Sequence, residues 1–73
     1  MKKYKYLEKI LKLLEKHKDN TLLLQAIYIY FNKTIETTNL DLYFHLSLQV
    51  IKNIKVYPTY VLDDVIFILE LPI

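Results

Sequence analysis

Glycine is missing from all 73 residues. Type I′ and II′ hairpin turns, P-loops and dinucleotide fingerprints need it, because their backbone angles or close ligand approach leave no room for a Cβ. Cysteine is missing as well, so disulfides and thiolate metal sites are excluded, which fits a cytoplasmic chain. There is no arginine, so every basic residue is a lysine. Lysine brings a point charge to a phosphate but not the planar fork that reads guanine. The longest apolar runs, counted across a single polar residue such as Gln25, are near ten residues, where a membrane-spanning helix needs about 20. The start Met1-Lys2-Lys3 is basic, but Glu8, Lys9 and Lys12 interrupt the apolar stretch that a secretory signal would require. These absences predict a soluble, cytoplasmic chain with no spanning segment.

What remains is unusually apolar for its size. The composition is 53% hydrophobic, against about 45–50% in ordinary domains even with glycine counted. A chain this short forms one domain, residues 1–73, and buries only about 60% of the surface it exposes when unfolded. Apolar side chains are therefore expected to remain outside the core, where a second copy or a partner protein would cover them.

The stretch Thr21 to Phe31 concentrates this excess, being apolar on almost every side except at Gln25. A helix of that kind has to be wrapped on more than one face. Before it, residues 3–18 read as an amphipathic helix. Leu7, Ile10, Leu11 and Leu14 recur at three- and four-residue spacing, and Leu13 widens the stripe. Lys5, Glu8, Lys9, Lys12, Glu15 and Lys16 take the other side, with Glu8 and Lys12 in the favourable i,i+4 order. Asp19 and Asn20 break the pattern, and Thr21 is the expected N-cap of a second helix running to residue 36. Its inward stripe is expected to be Leu23, Ala26, Ile27, Tyr30, Phe31 and Ile35.

Residues 40–50 fit two templates. Leu40, Leu42, Phe44, Leu46, Leu48 and Val50 alternate as in a strand. Equally, Asp41, His45, Gln49 and Lys52 align as one polar stripe of a helix whose apolar face is Leu40, Tyr43, Phe44, Leu48 and Ile51. The dominance of leucine, the lack of glycine for a hairpin, and a capping-box pattern from Thr38 to Asp41 favour a helix over 39–55. Pro58 then separates a last helix over 59–71, where Asp63 and Asp64 near the start suit the helix dipole. The expected fold is mostly α, a small helical domain of three to four short helices. The alternative is two N-terminal helices followed by a small β element from residues 40–71.

Charge is divided unequally along the chain. Residues 1–18 hold seven lysines against Glu8 and Glu15, a net of +5. Residues 19–73 hold three lysines against six carboxylates, a net of −3.

Chemistry-bearing constellations are thin. His45 and Asp41 sit one helical turn apart, but zinc takes three or four ligands, and His17 is the only other histidine. Adjacent Asp63 and Asp64 point about 100° apart on a helix and make a poor carboxylate pair. Ser47, the only serine, lies two residues from His45, so on a helix the two diverge by roughly 200°. No catalytic residue, metal or cofactor is expected, and the chain is read as a non-enzyme.

Seven tyrosines point elsewhere, since tyrosine is stiff, amphipathic and enriched where one end is buried and the other wet. Tyr28, Tyr30, Phe31, Tyr43, Tyr57 and Tyr60 are the expected interface residues. The sequence thus predicts a protein-interaction module that self-associates or binds and regulates a partner in the manner of an inhibitor. The alternative is a nucleic-acid-binding regulator using Lys2, Lys3, Lys5, Lys9, Lys12 and Lys16 of the first helix, with binding that weakens steeply in salt. A membrane partner is not expected, although a basic amphipathic helix is of the kind that rests on anionic surfaces.

Overall fold

The computed structural model describes residues 2–32 and 41–71, and among these residues there are four helices and no strand. They are α1 (Lys2–Lys16), α2 (Thr21–Asn32), α3 (Leu42–Asn53) and α4 (Thr59–Glu70). The helical reading holds and the β alternative for residues 40–71 falls. The period-two alternation of residues 40–50 is real but is overridden, because Leu46, Val50 and Ile54 bury at i, i+4 and i+8.

Each of α1 and α2 packs on both α3 and α4 and neither packs closely on the other, so α1 and α2 lie diagonally across the bundle. One core joins all four. It is built from Ile10 and Leu14, from Leu23, Leu24 and Ile27, from Leu46, Val50 and Ile54, and from Leu62, Val65 and Leu69.

The helix ends refine the sequence reading. α1 stops at Lys16, two residues short of its expected end, in a tightened turn where the Asn20 N–H donates to the His17 carbonyl at 2.9 Å. Asn20, not Thr21, caps α2, and its Oδ1 accepts from the Leu23 N–H at 3.2 Å. The amide oxygen one residue earlier reaches the N3 donor, and this leaves Thr21 as the first helical residue. Asp41 is itself the cap of α3, with Oδ1 accepting from the Phe44 N–H at 3.1 Å, and not the third residue of a box begun at Thr38. Thr38, Leu40 and Ile35, and the expected end of the second helix at Glu36, lie outside the described residues.

Two inward faces are rotated from expectation. In α2 the buried set is Leu23, Leu24 and Ile27, with Tyr28 and Phe31 half-buried, whereas Ala26 and Tyr30 are exposed. No charged residue marks a wet side on this helix, so the face with the larger side chains turns in. In α3, Leu42 and Tyr43 join Leu46, Val50 and Ile54 at the core, while Phe44, Leu48 and Ile51 are exposed. The cause is Gln49. The sequence reading placed it on the solvent stripe, but it lies in the α2–α3 seam. Its amide exchanges hydrogen bonds with that of Asn32, at 3.1 and 3.3 Å, and donates to the Tyr57 hydroxyl at 3.1 Å. Turning Gln49 to that seam swings Phe44, Leu48 and Ile51 outward.

Candidate interaction surface

The bundle's outside can be followed ridge by ridge. On α1, Lys5, Glu8, Lys12 and Lys16 succeed one another, all exposed. Lys12 pairs with Glu8 at 3.3 Å, and Lys9 reaches Glu70 of α4 at 3.6 Å. On α2 the exposed ridge is Leu22, Ala26 and Ile29, with Leu22 79% exposed. On α3 it is Phe44, Leu48 and Ile51, with His45 and Lys52 exposed beside them and Lys55 exposed in the turn that follows. On α4 it is Tyr60, Asp64 and Phe67, the two aromatics being 68% and 66% exposed. Both of these last ridges follow the i, i+4, i+7 spacing of a single helical face.

Tyr30 joins the outer faces of α2 and α4. Its hydroxyl donates to Asp64 Oδ2 at 3.0 Å, placing it between Tyr60 and Phe67 in the helix register. Burial, then the hydrogen bond to Asp64, raise the Tyr30 pKa above the ordinary tyrosine value. In the α1–α4 groove, hydrogen bonding to Asp63, then burial, raise that of Tyr6. Both phenols therefore stay protonated donors at neutral pH. Leu22, Ala26, Ile29 and Tyr30 are exposed on α2, and Tyr30 carries that side of the helix to Asp64 of α4, which lies between Tyr60 and Phe67 in the helix register.

The expected interface residues divide into two groups. Tyr30 and Tyr60 are exposed and adjacent. Tyr28, Phe31, Tyr43 and Tyr57 are half-buried against the core, and Phe31 stacks on Tyr57 at 4.9 Å and 19°. Leu22, Ile29 and Phe67 were not among the expected residues. A helix without one charged residue must present something apolar outward, and that signal was present in the sequence.

The lysines also divide. Lys5, Lys9, Lys12 and Lys16 are exposed on α1. Lys3 turns back, and its Nζ donates to the carbonyls of Lys55 at 2.9 Å and Tyr57 at 2.8 Å, where a cation suits the end of a helix. Lys2 opens α1.

Of the remaining polar groups, Asp41 is occupied as a cap and His45 is exposed, its ring edge-on to Phe44 at 5.8 Å. Ser47 Oγ is enclosed without a hydrogen-bond partner among the described residues. Among those residues no three His, Asp or Glu side chains gather in a cation-sized cluster, and no helix is long and apolar enough to cross a membrane. No protein-family model, no curated protein and no solved structure matches this chain.

Proposed function

We propose that this chain is a non-enzymatic protein-interaction module, self-associating or binding and regulating a partner protein, and that it works through the joint outer surface of α2 and α4. The observation that carries the reading is the uncharged, exposed ridge of α2, continued across Tyr30 onto Tyr60 and Phe67. Scattered apolar residues on a surface are ordinary, whereas contiguous ones mark a docking face. Magnitudes require contiguity too. Fully covering one Leu, Ile or Phe gains about 1.5–3 kcal/mol, while association costs about 4–15 kcal/mol in lost freedom. Only several side chains covered together give a net gain.

The test is native mass by light scattering across a dilution series, for the wild type and for Leu22→Glu combined with Ile29→Glu. Both positions are exposed, so helix content by circular dichroism is expected to be unchanged. The wild type is expected above the 8.8 kDa chain mass and the double variant at it. If the wild type is monomeric, affinity capture of a partner should fail with the double variant as bait. A double variant that matches the wild type in both mass and capture counts against the reading.

A second reading rests on the shared exposure of Lys5, Lys9, Lys12 and Lys16 on α1. It would make the chain a salt-sensitive nucleic-acid binder. Lys9 and Lys12 already have carboxylate neighbours, which dilutes the field. A high 260/280 absorbance ratio on the native-mass peak, lost in salt, would move this reading forward.

A further inference from the structure

The two remaining apolar ridges differ in the sign of the charge set into them. α4 has Asp64 within its Tyr60–Phe67 ridge, with Asp63 and Glu70 turned toward Tyr6 and Lys9 of α1, and no basic residue from Thr59 to Glu70. α3 has Lys52 beside its Phe44–Leu48–Ile51 ridge and Lys55 in the turn that follows, and the carboxylate at its start, Asp41, is taken up by the Phe44 N–H. Among the described residues neither Lys52 nor Lys55 has a carboxylate within salt-bridge distance. The groove beside Ile51, lined by Tyr4, Leu7 and Lys55, extends the apolar ground toward α1. The two ridges match in spacing, i, i+4 and i+7, and they sit on helices that do not pack closely on each other.

We infer that the partner for the α2–α4 surface is a second copy of this chain, presenting its α3 ridge, so that copies join head to tail. This rests on the interaction-module reading and adds the occupant and the geometry. An α4 ridge laid antiparallel on an α3 ridge in matched spacing sets Tyr60 against Ile51 and Phe67 against Phe44, and leaves Asp64 over Leu48 one turn from Lys52. Two-fold pairing of α4 on α4 is disfavoured. Asp64 sits near the middle of α4, so that pairing opposes two carboxylates with no counter-charge. Because each copy gives one surface and receives on another, the contact does not close at a dimer. It continues to a ring or an open chain.

The test uses two singly blocked chains. Asp64→Lys spoils the acidic surface and keeps α3 intact. Leu48→Lys spoils the α3 surface and keeps α4 intact. Both positions are exposed, so both variants are expected to keep their helix content. By light scattering the wild type should exceed a dimer and grow with concentration. Each variant alone should fall to the 8.8 kDa chain mass. An equimolar mixture should form a species of twice that mass and no larger, because only one compatible contact remains. A wild type that stays monomeric, a variant that keeps the wild-type mass, or a mixture that stays monomeric overturns the inference. Two-fold pairing through α2 would show as a dimer indifferent to both charge variants but lost in Leu22→Glu with Ile29→Glu. That outcome sinks the head-to-tail arrangement and leaves the module reading standing.

Discussion

The exposed ridge of α1 carries Lys5, Glu8, Lys12 and Lys16, and that of α2 carries Leu22, Ala26 and Ile29. Their inner faces are alike, since Ile10 and Leu14 on one and Ile27 on the other are wholly buried in the same core. The two helices lie across the bundle from each other, so the molecule has a charged pole and an apolar one. Water suffices to cover α1. It is a poor cover for α2, and the difference separates what holds this fold together from the surface we propose meets a partner. A helix seated only for stability would look like α1 on its outside.

The inner faces provide the strongest way to break this comparison. Ile10→Ala and Ile27→Ala should each cost about 2–5 kcal/mol, read as equal shifts of the urea midpoint. A mild effect at Ile27 alone would mean that α2 is not seated as α1 is. Next in size is the cap. Asn20→Ala should cost about 0.5–2 kcal/mol by removing the acceptor at the start of α2, whereas Thr21→Ala should stay within about 0.5 kcal/mol. A reversal of that order in thermal melts would return the cap to Thr21. The smallest effect sharpens the contrast between the outer faces. Glu8→Gln should cost about 0.2–0.5 kcal/mol, and the loss should vanish in high salt because both partners of the Lys12 pair are exposed. The outer face of α2 has no ion pair to lose, so the salt dependence of stability should be unmoved by Ile29→Ala.

How much of this was legible depends on whether a helix carries its own marker of outside. On α1 it does. Six charged residues on one side fixed the inward set, and Leu7, Ile10, Leu11, Leu13 and Leu14 all lie in or against the core. On α2 nothing polar fixed the rotation, so Ala26 and Tyr30 were assigned inward and lie outside. On α3 the marker misled. His45, Gln49 and Lys52 look like a solvent stripe, but Gln49 is held in the seam by Asn32 and Tyr57. A hydrogen-bonded side chain at a helix–helix seam is polar in composition and interior in position, and periodicity cannot separate the two. The exposed apolar surface was therefore visible only as an apolar excess, and its members followed from the rotations.

The diagonal placement of α1 and α2 also bears on how the chain comes into being. The first 32 residues build little core of their own, because α1 packs closely on α3 and α4 and not on α2. The bond from Lys3 to the Tyr57 carbonyl spans 54 positions. Such long separations slow the search for the native state compared with a bundle of adjacent hairpins. As the chain leaves the ribosome, the apolar α2 stretch emerges before α3 and α4, the helices that cover its inner face. The interval before α4 appears is when a newborn chain is most exposed to aggregation or to capture by a chaperone.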